Sequence, residues 1–482
     1  MNDYPTIDAT ELAMRVRRGE VGPRDVTECA VRSIEHVNPK LNAVVSRLYE
    51  LATAKAQELA GPFGGVPMVL EDYHGAMAGL PVSSTSRFLE GHRAPANDPS
   101  VTRLLASGLG CVAQANTPEF GLFATQGSTW RGATRNPWVP DRTAGGAGGG
   151  AAALVAAGAV PVALAGDGMG SLRVAASLCG VVGLKPTRGR VPLGVAPGAE
   201  AGGYGQLGPL ARSVRDVAGL LEVLADREGF IDACTRPCPP QRIALTTEAL
   251  FGEAADPDGV AAVERVARLL EERGHIVDIA RPSIDATALA QAYVTQVAVT
   301  TAVKVAGWGR RIGRKPSPRV FDSTTWLFVQ IGRALSAVEL QEAREVAARA
   351  QQALAAFHKN YDVLLTAAVA GPPMRLSERV QGLPQRLGLR VLRTAPIPSA
   401  LRRALRRVAE ETLDLTPNTP LFNQTGQPAI VVPALIAERG WPVGVQLASR
   451  LNAEATLLSL ASQIEEMAPW QVRRPTVRAE LA

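Results

Sequence analysis

"GGAGGGAAALVAAGAVPVALAGDGMGSLRVAASLCGVVGLKPTRGRV", residues 145–191, alternates clusters of glycine with apolar runs and places Ser171 at one corner. "GGAAALVAAG" reads as a helix and "VPVALAGD" as a strand. Glycines at such a corner have two uses. The first is a phosphate cradle, and Gly146, Gly148 and Ala151 do satisfy G-x-G-x-x-A, with Asp167 further on. That fingerprint must follow a strand, and here "RNPWVPDRTA" precedes it with two prolines. No Gly-Lys-Ser/Thr occurs, so a P-loop is excluded as well. The second use is to aim backbone N–H groups at a developing oxyanion, and the amides around Gly168, Met169, Gly170 and Ser171 suit it. By residue type alone, a tight turn with an incidental serine competes with that reading.

Working outward, the chain keeps alternating. Residues 8–19 predict a helix, and "RDVTECAVRSIEHVNPKLNA" predicts a second that ends before Pro39. "LYELATAKAQELAG" is helical, "GVPMVLED" a buried strand, "SVTRLLASGLG" a helix and "CVAQAN" a strand. Later come the helix "SVRDVAGLLEVLA", the strand "QRIALTTE", a long helix into "HIVDIA", and buried strands "YDVLLTAAVA" and "PAIVVPALI" before a closing helix "EATLLSLASQIEEM". This alternation predicts one α/β domain over 1–482, with a mixed, largely parallel twisted sheet covered by helices on both faces. Within it, 1–60 read as N-terminal helices, 61–210 as the core and 285–410 as a variable helical insertion on the substrate side.

Of the 482 residues, 46% are hydrophobic and 20% charged, enough apolar content for a large core. The net charge of +6 is small for this length and gives no reason to expect nucleic acid. Basic residues do cluster: Arg375 to Arg407 holds nine arginines and one acid, Glu378. That run reads as a solvated face or as a docking patch for an acidic carrier protein or anionic substrate. Five dispersed cysteines and the lack of a secretory h-region point to a reducing, cytoplasmic setting. Five histidines without H-x-x-x-H give no metal site, and no cofactor is expected. The longest apolar stretch, Ala151 to Gly166, is broken by Gly158 and Pro161, which argues against a membrane span.

The 145–191 stretch closely resembles the signature of the amidase signature family: early glycines, then Asp, glycines, Ser, an aliphatic residue, Arg, later Cys-Gly and Gly-Leu-Lys-Pro-Thr. "GGVPMVLED", "NTPEFG", "GATRNPW" and "FNQTGQPAIVVPALIAERGWPVGVQLASR" extend the likeness over nearly the whole chain. The resemblance implies the amidase-signature fold and amide C–N chemistry through a Ser–cis-Ser–Lys triad. Carried over by position, it puts Ser171 at the nucleophile, Asp167 and Arg173 at supporting positions, and Asp72 at the acid after the lysine. It puts Glu71 at the lysine position and Ala147 at the bridging serine, with Met169 in place of an oxyanion-loop glycine. Gly121, Phe123 and Thr125 fall in a substrate-facing loop, and Tyr73 and His74 follow Glu71 toward the same cleft.

A serine without a positioned base is a poor nucleophile. The substitutions therefore predict altered, non-hydrolytic chemistry on an amide- or acyl-type small molecule, such as cyclisation, condensation, elimination or isomerisation, in a biosynthetic setting. In that reading Glu71 is the acid–base, and Ser171 with the loop amides polarises a carbonyl. One alternative is residual amide hydrolysis or acyl transfer through Ser171. A catalytically silent binding protein is the other. Glu71 also admits a structural role, ion-paired with Arg142 or Arg173.

Overall fold

The computed structural model describes residues 1–122, 127–194, 203–251, 256–377 and 397–480, with the side chains of residues 398 and 410–415 excepted. In chain order the N-terminal third contains α1 (Ala9–Arg17), α2 (Pro23–Leu41), β1 (Val44–Arg47), α3 (Tyr49–Lys55), β2 (Val66–Glu71), α4 (Pro99–Ala106) and β3 (Leu109–Ala115). The signature stretch supplies α5 (Gly149–Ala156), β4 (Val162–Asp167), α6 (Ser171–Cys179) and β5 (Val182–Lys185). Next come β6 (Gln206–Ala211), α7 (Val214–Ala225), α8 (Phe230–Thr235), β7 (Arg242–Leu245), α9 (Pro257–Glu272) and β8 (Ile276–Ile279). The rest comprises α10 (Ala286–Ile312), α11 (Ser323–Ala334), α12 (Ala337–Phe357), β9 (Val363–Ala367), α13 (Pro398–Leu415), α14 (Pro420–Thr425), β10 (Ala429–Ile436), β11 (Pro442–Ser449) and α15 (Glu454–Met467).

All eleven described strands join one sheet in the order β1-β3-β2-β4-β6-β5-β10-β11-β9-β7-β8. The sheet is mixed, as expected, but its parallel pairings are the minority. β2 pairs parallel with β3 and β4, and β7 with β8 and β9; the other six pairings are antiparallel. The extra antiparallel contacts come from β1, β5 and β6, which periodicity does not single out. β1 and β5 have four residues each, and β6 carries Gly208 and Pro209, two residues that ordinarily argue against a central strand. The helix expected to end before Pro39 continues to Leu41 and stops at Asn42 in the left-handed region. A proline so near the end removes only one donor from the ladder.

Burial explains the sequence runs. Every residue of β2, β3 and β4 is buried, because helices cover both faces. α5, "GGAAALVA", is apolar all round and has no exposed residue. The consequence for function is positional. Parallel neighbours β2 and β4 end at the same edge of the sheet, at Glu71 and, two residues further along, Asp167, and α6 starts four residues after β4 ends. The crevice beyond the carboxyl ends of parallel strands is where ligands ordinarily bind in such sheets. α10 and α11 roof that crevice through two apolar clusters. One joins Met169 and Tyr204 to Tyr293, Leu327 and Phe328. The other joins Phe88 and Phe120 to Val305, Trp308 and Trp326. Among the described residues no helix is long and apolar enough to cross a membrane.

Candidate active site

Ser171 is the first residue of α6 and is 4% exposed. Gly170 precedes it at φ 90°, a conformation that favours glycine. A Cβ at Gly170 would lie 2.0 Å from Thr419 Oγ1, and one at Gly146 would lie 2.0 Å from the Ser171 carbonyl oxygen. The glycines thus let two other segments close on the serine. Its hydroxyl donates to the Gly166 carbonyl at 2.9 Å.

The corner is locked by one ion pair. Arg173, fully buried, donates Nε to Asp167 Oδ2 at 2.8 Å and Nη2 to Asp167 Oδ1 at 3.0 Å, and also Nη2 to Asn423 Oδ1 at 2.7 Å. Burial acts to raise the Asp167 carboxyl, but the Arg173 charge and hydrogen bonds outweigh it and hold the group below its ordinary value. Asp167 Oδ1 also accepts from Gly170 N at 2.8 Å. Of the amides expected around the oxyanion, Gly170's is therefore committed to the loop itself. The Gly168 carbonyl accepts from the Tyr293 hydroxyl of the roof helix α10, and the Met169 carbonyl from Thr419 Oγ1 just before α14, which fixes both peptides.

Glu71 sits behind this corner. Its Oε1 accepts from Thr117 Oγ1 at 2.9 Å and its Oε2 from Gly166 N at 2.6 Å. It is fully buried, and burial pushes its carboxyl up to about 7 against those hydrogen bonds, with the Asp72 and Asp167 charges adding. It is not paired with Arg142 or Arg173: Arg173 is taken by Asp167, and Arg142 donates to the Pro373 carbonyl. Asp72 turns away to hold the next loop, accepting from Ser83 Oγ at 2.5 Å and Thr85 N at 2.9 Å.

In front of Ser171 lies a cavity lined by Tyr73, His74, Phe120, Ala147, Ser171 and Lys304, and equally by Gly121, Gly166, Gly168, Met169 and Tyr293. Glu71 is not among its lining residues. Lys304, on the roof helix α10, is 3% exposed and hydrogen-bonds the Tyr73 hydroxyl. Its Nζ lies 4.5 Å from the Tyr73 ring centroid and 5.9 Å from that of Phe120. Burial alone lowers the amine to about 7. His74 is lowered to about 3, by burial first and then by the Lys304 charge. Burial raises the Tyr73 phenol. A Cβ at Gly121 would meet Tyr73 Cδ1 at 2.9 Å and Ala147 Cβ at 3.5 Å, so the tyrosine ring and the Ala147 methyl flank one glycine.

The structure thus brings Ser171, Ala147, Gly121, Tyr73, His74, Gly168 and Met169 to one cavity and leaves Glu71, Asp72, Asp167 and Arg173 behind it. Phe123 and Thr125 lie outside the described residues, as does most of the Arg375–Arg407 run, including Glu378. The residue that sequence reasoning missed is Lys304. The available signal was weak: a lone lysine in "TTAVKVAGWG" at helical spacing from Tyr293, Val297, Thr300 and Thr301, all of which line the same cavity. Among the described residues no cluster of three or more His, Cys, Asp or Glu is placed to hold a metal.

Residues 25–458 match the Amidase family. A 6-aminohexanoate-cyclic-dimer hydrolase of Pseudomonas sp. is 34% identical over 492 residues, covering 97% of this chain and 96% of that protein. A putative amidase, AmiC, of Mycobacterium tuberculosis is 34% identical over 484 residues, covering 98% and 97%. The solved structure of 6-aminohexanoate cyclic dimer hydrolase superposes with a TM-score of 0.90 at 30% identity, over 98% of this chain and 99% of that one. These relatives are named for amide hydrolysis, which overturns the expectation of cyclisation, condensation, elimination or isomerisation. That expectation weighed two positions of a local motif, whereas the likeness runs the length of the chain. The hydrolytic alternative fits the relatives better. On a family match over most of its length and on this shared fold, the chain belongs to the amidase signature family.

Proposed function

We propose that this protein hydrolyses an amide C–N bond of a small molecule, with Ser171 as the nucleophile. The observation that carries the reading is the placement of Ser171: a hydroxyl at the start of α6, on a corner locked by a buried ion pair, lining a cavity that α10 roofs. A helix start favours developing negative charge, and the Gly168, Met169 and Ser171 amides are the candidate donors to it. The relatives' names support amide substrates, and the cavity's Phe120, Leu122, Met169 and Val297 favour an apolar acyl portion.

In the same reading the family's lysine and bridging serine are replaced by Glu71 and Ala147. Glu71 then serves as a scaffold acid. It accepts from the Gly166 amide while the Gly166 carbonyl accepts from Ser171, so the backbone of one residue, Gly166, bonds both side chains.

The test is covalent labelling of the full chain with a fluorophosphonate, together with hydrolysis of 6-aminohexanoate cyclic dimer and of short acyl p-nitroanilides. Labelling mapped to Ser171, and turnover lost in Ser171→Ala, are the expected results. An Ser171→Ala variant that still cleaves these amides at the native rate overturns the assignment.

A further inference from the structure

We propose that Lys304 and Tyr73 form the proton-transfer pair for Ser171, the amine of α10 acting through the tyrosine hydroxyl on the seryl oxygen. The inference rests on the hydrolytic reading above and deepens it by naming the missing base.

The geometry comes first. Ser171, Tyr73 and Lys304 line one cavity, and Lys304 hydrogen-bonds the Tyr73 hydroxyl. The Tyr73 ring and the Ala147 methyl both approach Gly121, and the neighbouring Gly146 abuts the Ser171 backbone. The tyrosine and the methyl that replaces the bridging hydroxyl thus border the same stretch of the cavity. The cavity has room for water-sized molecules. A water can thus complete the path wherever the hydroxyls do not meet directly.

The chemistry follows from which groups face the cavity. Its titratable lining residues are Tyr73 and His74 from the segment after β2, and Tyr293 and Lys304 from α10. No carboxylate lines it among the described residues, so the lysine has no counter-ion there; Glu71 and Asp167 stand behind the corner. Burial makes His74 too weak a base, at about 3, and keeps both tyrosines protonated. Lys304, at about 7, is the one poised to accept and return a proton near neutral pH. A tyrosine that stays protonated can donate to the amine while it accepts from the serine.

The steps balance. Ser171 Oγ bonds to the substrate carbonyl carbon as its proton moves through Tyr73 to the Lys304 amine. The C–N bond breaks, and the departing nitrogen receives a proton back from Lys304. Water then adds to the acyl-serine, giving a proton to the same pair, and the acid leaves as Ser171 regains its hydrogen. The net reaction is amide plus water to carboxylic acid plus amine.

The experiment compares wild type with Lys304→Met, Lys304→Arg and Tyr73→Phe, with thermal melts reporting the fold of each. Two readouts are followed against pH: the fluorophosphonate labelling rate of Ser171, which needs no substrate, and kcat and KM on a short acyl p-nitroanilide and the matching p-nitrophenyl ester. Wild type is expected to show an acidic limb near pH 7. Both lysine variants should lose about 10²–10⁴-fold in kcat, with KM little changed and the limb gone. Lys304→Arg keeps the charge but cannot accept a proton. The amide should suffer more than the ester, whose phenolate leaves without protonation. Lys304→Ala should recover partly with added methylamine, which a merely structural role does not predict. Tyr73→Phe should fall by a smaller factor. If Lys304→Met stays within threefold of wild type with the limb intact while Ser171→Ala is dead, the pair is wrong and the hydrolytic reading stands. A raised KM at unchanged kcat assigns Lys304 to an anionic part of the substrate and overturns proton transfer. If wild-type Ser171 is neither labelled nor needed for turnover, both readings fall.

Discussion

Two corners of the molecule flank Ser171 and differ in one respect. Behind it, Glu71 is fully buried with both oxygens engaged, by Thr117 and by the Gly166 amide. In front, Lys304 is nearly as buried but lines the cavity, its amine held by the Tyr73 hydroxyl between aromatic rings. Burial brings both groups to about 7, from opposite directions. A proton affinity near neutrality is thus shared by a group turned into the scaffold and a group that lines the cavity. Access, rather than titration, separates them, because a base must come within hydrogen-bond reach of the proton it takes.

The largest expected effect is common to both corners. Ser171→Ala should lower amide turnover by about 10³-fold or more, measured as kcat/KM, and native-like turnover would dissolve the comparison by removing its centre. Next comes the direct contrast. Lys304→Met should cost about 10²–10⁴-fold in kcat, and Glu71→Gln less than about tenfold, since the amide side chain can still accept at one oxygen. The reverse order in steady-state kinetics would exchange the roles of the two corners.

Arg173→Met tests the lock that both corners share. It leaves Asp167 buried and unpaired, and denaturant unfolding should show a loss of about 3–5 kcal/mol. A change near zero would mean that Asn423 and Gly170 hold the carboxylate without the arginine.

The pH dependence of stability sharpens the contrast further. Glu71 rises from 4.5 to about 7 on folding, so the folded state holds its proton longer. Its contribution is full below pH 4.5 and is lost as pH climbs through about 7, on the order of 3 kcal/mol at 1.36 kcal/mol per unit. Lys304 falls from 10.5 to about 7, so its contribution is full above pH 10.5 and is lost as pH drops through about 7. The wild-type minus Glu71→Gln difference should therefore slope downward between pH 4.5 and 7, and the wild-type minus Lys304→Met difference upward between 7 and 10.5. Parallel slopes from denaturant midpoints would contradict both assignments. The smallest effect belongs to Thr117→Val, which removes one bond to Glu71 and should cost about 1 kcal/mol.

Much of this was legible in the sequence for a simple reason: it is local. Asp167, Ser171 and Arg173 lie within seven residues at the step from β4 to α6, so a resemblance in that stretch carried their positions with it. The glycine reading pointed to the same corner. It also counted the Gly170 amide among the oxyanion donors, because nothing in the string shows that Asp167 bends back to take it. Glu71 stood out in the resemblance as the residue at the expected lysine position, and the expectation of altered chemistry followed from treating that position as the sole source of a base.

By itself, the sequence determined the family, the alternation of helices and strands, and the strand-to-helix corner that carries Ser171, since each depends on near neighbours in the chain. Only the tertiary structure decided which ionisable groups meet at that corner. Lys304 is 133 residues beyond Ser171 and Glu71 is 100 before it. Packing α10 over the ends of β2 and β4 puts the lysine in the cavity, while the hydrogen bonds at Thr117 and Gly166 turn the glutamate away. Solvent exclusion then sets the proton affinity of both, and burial at this distance in sequence is a property of the packed core that no short stretch of residues encodes.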